Sequence, residues 1–531
     1  MKSVIRNNKF NLFFILLISI VYYKYIFFVG FSPGDDYGHI NLTKEYPGIL
    51  ENILKNFYIT PARPIGGLMI GLVHPIFTDN IVYFNLISLT LWILTALILK
   101  NTFQILINKK FSELFFIIFS FPYLCFSIFY GNLLFAYYIL FLFFWSISFF
   151  FQVKFYENNN KKNLFFYYLF LIFAILTFEL IISLLVINLL IPFYYKKKIS
   201  LFIYNLLIII SLCVVFLIYK IYFIPNTLDI PAYGVSKLNY VSILQGIYFF
   251  YSIIVENLIL LIESTKFALN IVSVFVLLLL ILLFKNFTFE KILSKKIILY
   301  IFILSLISNF LIFFISGYPA VTYGHYNKMM VPAFFSITFI VSYLFMYFNF
   351  NRFFLIIFVF LVINSTYSQI NNYAEATRIK NDLVIKLTYY IKKNNLDNED
   401  TVIINSPLFV KNNYNNEEIV FTTWDLRDII LYKTNKRLNP WLVSDRLINN
   451  PNYYPNHNFL NSKYFKDNSF NQTKLFYFQY DPELSSFEIF NNKIEFEKKI
   501  KSLKDKKTNE DNFIFREKIR LFLKKIIFQL I

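Results

Sequence analysis

Long apolar runs separated by short polar segments dominate the first 370 residues of the chain. About 20 apolar residues form a helix long enough to cross a bilayer, so the pattern predicts eleven membrane-spanning helices. Their approximate ranges are 10–30, 81–100, 112–129, 132–151, 164–178, 181–195, 200–223, 267–285, 297–315, 328–348 and 353–369. A further apolar run, 245–263, contains Glu256 and Glu263, which favours a helix at the membrane interface.

The pattern changes after residue 369. A helix over roughly 371–394 is followed by the strand-like segments DTVIINSPLFV, LFYFQYD and SFEIF, by a mixed stretch, IVFTTWDLRDIILY, and by Asn-rich loops. The tail 513–531 carries five basic residues among apolar ones, which is typical of an amphipathic helix at a membrane surface. We therefore expect an α-helical polytopic membrane protein. It would consist of a transmembrane domain, 1–369, with a long first outer loop, 31–80, and a small C-terminal α/β extracytoplasmic domain, 370–531.

The composition of the chain also indicates a membrane protein. Hydrophobic residues make up 57% of the 531 residues and charged residues only 16%, against about 25% charged residues in ordinary soluble domains. The mean hydropathy is +0.54. These values exclude a soluble protein with a single core, and the 12 glycines and 16 prolines are too few for a collagen-like chain.

The net charge of +19 would suit a nucleic-acid partner, but its distribution indicates membrane topology. Basic residues near a span are retained on the cytoplasmic side. We call the predicted transmembrane domain, 1–369, the membrane block. Placing the N-terminus in the cytoplasm puts 17 of its Lys and Arg residues on that side and six on the other. We therefore expect a multi-pass protein of a bacterial inner or plasma membrane, with an outward-facing C-terminal domain and no role in nucleic-acid binding.

Most acidic residues of the membrane block, and all four histidines, then fall on the outer side. The first outer loop opens with FSPGDDYGHI, where Asp35 and Asp36 are adjacent. Two neighbouring carboxylates repel each other, which raises the pKa of one unless a cation lies between them. Such a pair could act as a general base and as a ligand for Mg²⁺ or Mn²⁺. The metal is possible but not required. The alternative is that Asp35 caps the next helix and Asp36 is solvated.

The rest of this loop offers a second kind of chemistry. Residues 43–57 are predicted to form one amphipathic helix that lies flat on the membrane. After it, Arg63 lies between Pro61 and Pro64. The planar guanidinium binds two oxygens of a phosphate at once. The alternative for Arg63 is an interfacial arginine that snorkels to the headgroups.

Two later segments add candidate residues. Glu179 lies inside the apolar stretch 173–198. An ionisable group there is costly to bury and is by default a functional candidate. The alternative for Glu179 is a structural hairpin turn. The segment SGYPAVTYGHYNKMMVPAF contains Tyr323, His325 and Lys328. His325 and Lys328 would share a helix face and suit a lipid-linked phosphate. Aromatic-belt and snorkelling roles are the alternative for this segment.

Together these features resemble the GT-C superfamily of integral membrane glycosyltransferases, which take sugars from polyprenyl-phosphate or polyprenyl-diphosphate donors. The protein O-mannosyltransferases and the lipid A aminoarabinose transferase belong to it. The resemblance rests on the acidic pair, the amphipathic helix, the Ala-Arg-Pro stretch at 62–64, the multi-span body and the outer domain. The turn after Leu176-Thr177, where Glu179 stands, is similar to the family's turn that presents a polar residue to the outer cavity. Trp424-Asp425 follows a threonine, so the Trp-Trp-Asp signature of oligosaccharyltransferases is absent from the sequence.

The resemblance implies a role for each candidate. Asp35 or Asp36 would be the general base, Arg63, His325 and Lys328 would bind the donor phosphate, and His39, Glu179 and Tyr323 would bind substrate. These last three residues complete the set of eight candidates.

The expected reaction is transfer of a sugar to a glycan, lipid or protein acceptor at the outer face, in building a cell-envelope polysaccharide. One alternative is a transporter (flippase) of polysaccharide or lipid-linked oligosaccharide, which would carry mid-span charges and inverted repeats. The other is an O-antigen-type polymerase, which we would expect to have its large loop late in the chain.

Overall fold

The computed structural model describes most of the membrane block and parts of the C-terminal region. The described residues are 2–31, 36–61, 63–77, 80–130, 135–195, 199–219, 240–264, 270–285, 287, 296–316, 325–396, 401–405, 409–410, 417–418, 423–436, 438–443, 475–481, 486–490, 495 and 498. The chain divides into two compact units, Met1–Glu375 and Ala376–Ile531.

The first unit is almost entirely helical where it is described. Its helices are α1 (Lys2–Phe28), α2 (Asp36–Glu45), α3 (Ile49–Ile59), α4 (Pro64–Phe77), α5 (Ile81–Leu106), α6 (Lys109–Phe119), α7 (Leu140–Asn158), α8 (Lys161–Thr177), α9 (Ile182–Tyr194), α10 (Ile199–Ile218), α11 (Tyr240–Tyr251), α12 (Asn257–Glu263), α13 (Ile271–Phe284), α14 (Lys296–Ser316), α15 (Val331–Phe348) and α16 (Arg352–Lys393).

Several of these helices are suited to a membrane. Within the described residues, five helical segments are long and apolar enough to cross a bilayer: Ile81–Leu106, Ala136–Asn158, Ile199–Ile218, Asn327–Phe348 and Arg352–Lys393. The other apolar helices are shorter, with 10 to 17 residues in their apolar parts. The run 245–263 forms α11 and α12 with a π-helical turn, Ser252–Glu256, between them.

The predicted span 112–129 is wrong as a single helix. α6 ends at Phe119, and the chain continues to Tyr130 without α-helix, with one 3₁₀ turn at Phe126–Phe129. Pro122 explains the break, because proline lacks an N–H and its ring clashes with a preceding helical turn. The segment Ser120–Tyr130 is buried throughout.

Side chains from other parts of the chain form hydrogen bonds with the backbone of this buried segment and of Phe119 just before it. Their hydrogen bonds run from Tyr22 Oη to Ser120 O (2.7 Å), from Trp92 Nε1 to Phe119 O (3.1 Å), from Gln369 Nε2 to Tyr123 O (2.5 Å), and from Ser127 N to Asn327 Oδ1 (2.9 Å). Irregular backbone at membrane depth is tolerated only when protein groups satisfy it in this way.

A network of amide side chains joins α7 to α10. The Asn188 amide accepts a hydrogen bond from Trp145 Nε1 (2.8 Å) and donates to Gln152 Oε1 (2.9 Å). Asn205 Nδ2 donates to Asn188 O (2.8 Å), and Asn205 Oδ1 accepts from Tyr167 Oη (2.9 Å). Because these groups are buried, their pairing fixes the positions of four neighbouring helices.

The second unit contains six strands among its described residues, and the strand-like segments DTVIINSPLFV, LFYFQYD and SFEIF account for four of them. The six strands are β1 (Thr401–Asn405), β2 (Phe409–Val410), β3 (Glu417–Glu418), β4 (Asn439–Val443), β5 (Leu475–Asp481) and β6 (Ser486–Phe490), with α17 (Thr423–Thr434) before β4. A four-stranded sheet has the order β4-β1-β5-β6. β1 pairs in parallel with β4 and β5, and β5 pairs antiparallel with β6. The predicted amphipathic tail, 513–531, lies outside the described residues.

The long helix α16 links the two units in sequence. The pattern predicts a span over 353–369 and a separate helix over 371–394, whereas α16 is one helix of 42 residues. Its first part is the apolar candidate span, and its last part belongs to the second unit.

Candidate functional site

The described residues of the predicted first outer loop, 31–80, form three helices, α2, α3 and α4. The predicted single helix 43–57 is wrong in extent, because Pro47 and Gly48 separate α2 from α3. On α3, Asn52 and Asn56 are fully buried, while Leu50 and Leu54 are 69% and 60% exposed. The helix therefore turns its amide side chains toward the protein and its apolar side chains outward, as expected for a helix that rests on lipid.

Two glycines of α4 allow α3 to pack directly on it. A Cβ atom at Gly71 would lie 2.5 Å from Ile53 Cα and 2.8 Å from Asn52 O. A Cβ atom at Gly67 would clash with Thr60 Oγ1 and approach Asn56 O to 2.9 Å. The two glycines are four residues apart, a spacing that lets helix backbones approach closely.

The buried asparagines of α3 hold a histidine. Asn56 Nδ2 donates to Asn52 O (3.0 Å) and Asn52 Oδ1 (2.8 Å), so Asn56 Oδ1 faces His39 Nδ1 at 2.6 Å. Since Oδ1 only accepts, His39 Nδ1 is the protonated nitrogen. The loop's own helices therefore hold His39 with its Nδ1 protonated.

A second histidine, His74, packs beside His39. The ring centroids lie 6.1 Å apart, and His74 is 1% exposed. Burial, with repulsion from His39, lowers the pKa of His74 to about 3, so its ring is neutral. Neither ring nitrogen has a hydrogen-bond partner among the described residues. His74 is not among the predicted site residues, because a histidine before a proline in an apolar run has no distinctive pattern.

The acidic pair is only half described. Asp36 is the first residue of α2 and is fully buried. The N-terminus of a helix stabilises a carboxylate placed there. Asp35 lies outside the described residues. In the described part of the chain, no three His, Cys, Asp or Glu side chains are arranged to hold a metal ion.

Arg63 and Glu179 form an ion pair between two distant parts of the chain. Arg63 Nη2 and Nε lie 3.0 Å and 3.4 Å from the two carboxylate oxygens of Glu179. The two side chains are 30% and 39% exposed. Burial opposes the charged guanidinium, but the Glu179 carboxylate outweighs it, so the pKa of Arg63 is raised above its ordinary value. Arg63 is therefore a permanent cation.

Local structure presents both partners. Thr177 ends α8, and Glu179 begins a 3₁₀ turn, Glu179–Ile181, that leads into α9. The predicted turn between two helices is thereby confirmed. Arg63 lies between α3 and α4, where its N–H donates to Thr60 O (3.0 Å) and its carbonyl accepts from Gly67 N (3.0 Å).

Aromatic rings surround the guanidinium and extend the site to Lys328. The Arg63 Cζ atom lies 4.2 Å from the ring centroid of Phe178 and 5.1 Å from that of Tyr137. Tyr138 packs on Phe178 at 4.7 Å, and Lys328 Nζ lies 5.7 Å from the Tyr138 ring. We call these residues the arginine cluster: Arg63, Tyr137, Tyr138, Phe178, Glu179 and Lys328.

A π-helical turn, Phe135–Ile139, provides both tyrosines of the cluster. Such turns occur often at functional sites. Tyr137 and Phe178 were missed by the sequence analysis, because aromatic residues in apolar runs look like lipid-facing ones.

The structure thus pairs two predicted residues, Arg63 and Glu179. The Phe178 and Tyr138 rings connect this pair to a third, Lys328. His325 begins the 3₁₀ turn His325–Met330, and its side chain is outside the described part of the structure. Tyr323 lies outside the described residues as well. Asp36 and His39 belong to α2, one helical turn apart.

The chain matches no known family model, no curated protein and no solved structure. The function proposed below therefore depends on the chemistry of the residues just described.

Proposed function

We propose that this protein is an integral membrane glycosyltransferase. It moves a sugar from a polyprenyl-phosphate-linked donor to a glycan, lipid or protein acceptor at the outer face of a bacterial inner or plasma membrane. In this proposal about eleven helices span the bilayer, the N-terminus is cytoplasmic, and the C-terminal α/β domain is extracytoplasmic.

The observation that carries the proposal is the arginine cluster. It combines two cations, Arg63 and Lys328, with one carboxylate, Glu179, and so has a net positive charge. Arg63 is 30% exposed and belongs to the turn that directly follows α3, whose apolar side chains face outward. A cation held beside a lipid-facing helix suits a phosphate group carried on a lipid chain.

The reaction needs a base for the acceptor. The acceptor oxygen forms a bond to the anomeric carbon, the bond from that carbon to the phosphate oxygen breaks, and the acceptor proton passes to a carboxylate. We assign the base to the acidic pair of the first loop, Asp35 and Asp36, of which the structure describes Asp36. A positioned base contributes about 10²–10⁴ in rate. The polyprenyl phosphate leaves with one additional negative charge, which Arg63 and Lys328 stabilise.

The test is turnover of labelled donors by membranes that contain single variants. We expect Asp35→Asn or Asp36→Asn to reduce the release of polyprenyl phosphate by about 10²-fold or more, and Arg63→Gln to reduce it as well. Asp382→Asn is the matched control, since Asp382 pairs with Lys386 on α16, outside the cluster. Wild-type activity in both Asp35→Asn and Asp36→Asn would refute the base, and no turnover of any lipid-linked sugar by the wild type would refute the enzyme.

A flippase is the second candidate, favoured by the buried irregular segment Ser120–Tyr130. Transporters often place their substrate sites where membrane helices are broken. Proteoliposomes with a fluorescent lipid-linked sugar separate the two functions. A flippase moves the intact lipid across the bilayer, whereas the transferase releases polyprenyl phosphate without moving the donor.

A further inference from the structure

The ion pair between Arg63 and Glu179 has an electrostatic consequence for any phosphate that binds there. A carboxylate at 3.0 Å from the guanidinium offsets much of its positive charge. Phosphate oxygens that approach Arg63 therefore meet a weaker positive potential than an unpaired arginine would provide. Glu179 is thus poorly placed to attract an anionic donor, although the sequence suggests that it binds substrate.

Other contacts hold Arg63 in place without the help of Glu179. Its backbone N–H and carbonyl are both hydrogen-bonded, to Thr60 and Gly67. Its guanidinium lies against the Phe178 and Tyr137 rings, at 4.2 Å and 5.1 Å. Cation–π contacts of this kind hold a guanidinium whether or not a carboxylate is present. Glu179 therefore changes the charge of the site more than its shape.

The charge of the phosphate changes during the proposed reaction. A sugar-linked polyprenyl phosphate is a phosphodiester with one negative charge, and the released polyprenyl phosphate is a monoester. Because the second pKa of a phosphate monoester is about 6, the product carries nearly two charges at neutral pH. An anion-binding site strong enough for the donor thus binds the product more tightly and delays its release.

We propose that Glu179 is a counter-ion that weakens the hold of Arg63 on the dianionic product, so that polyprenyl phosphate can leave. This inference rests on the proposed function. The electrostatic part of a binding free energy scales with ligand charge, so one carboxylate changes the logarithm of affinity about twice as much for a dianion as for a monoanion. Glu179 accordingly lowers affinity for the product more than affinity for the donor.

The experiment measures binding of two ligands to the full-length protein in detergent at pH 8. One is a long-chain alkyl phosphate, which is dianionic, and the other is its methyl ester, which is monoanionic. We expect Glu179→Gln to tighten binding of the alkyl phosphate by on the order of tenfold and of the methyl ester by about threefold. Glu179→Asp retains the charge, so we expect its affinities to stay within about twofold of wild type.

Glu113→Gln is the matched control, because Glu113 pairs with Lys109 and Lys110 on α6, away from the cluster. Suppose that the wild type binds the alkyl phosphate through Arg63, but that Glu179→Gln binds it no more tightly. That result would overturn the counter-ion inference and leave the proposed function standing. Absence of Arg63-dependent binding in the wild type would overturn the proposed function too. With a turnover assay, we expect Glu179→Gln to be inhibited by alkyl phosphate at lower concentrations than wild type.

Discussion

Replacement of Gly71 by alanine tests whether the packing of α3 on α4 positions Arg63. The new Cβ atom would lie 2.5 Å from Ile53 Cα and 2.8 Å from both Ile53 N and Asn52 O. Carbon atoms in contact are normally about 3.5–4.0 Å apart. All three neighbouring atoms belong to the backbone, so no side-chain rotation relieves the clash, and α3 must retreat by about 1 Å.

Overpacking of this kind costs about 1–3 kcal/mol of unfolding free energy. The retreat also moves Thr60 at the end of α3, whose carbonyl accepts the Arg63 N–H. We therefore expect Gly71→Ala to lower the unfolding free energy by that amount and to weaken binding of the alkyl phosphate. Unfolding is measured by titration with SDS in mixed micelles, and binding is measured on the same preparation.

Gly48→Ala is the control for this substitution. Its Cβ atom would meet only the flexible Glu51 side chain, at 3.1 Å. We expect it to change the unfolding free energy by less than about 0.5 kcal/mol. If Gly71→Ala were as stable as Gly48→Ala and bound the ligand equally well, the close contact between α3 and α4 would not position Arg63.

Two further predictions concern buried polar groups. The folded pKa of His74 is about 3, against about 6.5 when unfolded, so protons bind the unfolded state first and stability falls as pH drops below about 6.5. At pH 5, protonation of His74 in the unfolded state costs about 2 kcal/mol of unfolding free energy. In the SDS titration, His74→Phe should therefore lose less stability than wild type between pH 7.5 and pH 5. Equal losses would contradict the burial of His74. Asn188→Leu leaves Trp145 Nε1 and Gln152 Oε1 without their partner. We therefore expect it to lower the unfolding free energy by about 2 kcal/mol or more. An unchanged midpoint of the SDS titration would contradict this prediction.

Local sequence signals account for most helix boundaries. α5 begins at Ile81, as predicted, because Asn80 Oδ1 accepts from Val82 N (3.1 Å) and caps the helix. The predicted helices 112–129 and 43–57 both contain a proline inside an otherwise helical pattern, Pro122 and Pro47. Apolar length and amphipathic periodicity favoured one helix there, whereas the missing N–H of proline decided the outcome.

The candidate site was predictable only in part. Arg63 and Glu179 each stood out because a charge beside apolar segments is costly. Their pairing across 116 residues of sequence depends on how the first loop meets the turn between α8 and α9, and no local pattern specifies it. The same holds for the sheet with the order β4-β1-β5-β6, since the sequence predicts the segments of β1, β5 and β6 but neither β4 nor the parallel pairing.

Position and charge at Arg63 are controlled by different parts of the chain. Backbone contacts between α3 and α4 determine where the guanidinium lies, because Thr60 and Gly67 hold the residue that joins the two helices. Glu179, from the turn between α8 and α9, determines how much of its charge a ligand meets. A site built in this way keeps its cation in a fixed place while its affinity for anions is reduced. That combination suits a protein that must stabilise charge on a phosphate during a reaction and then release it.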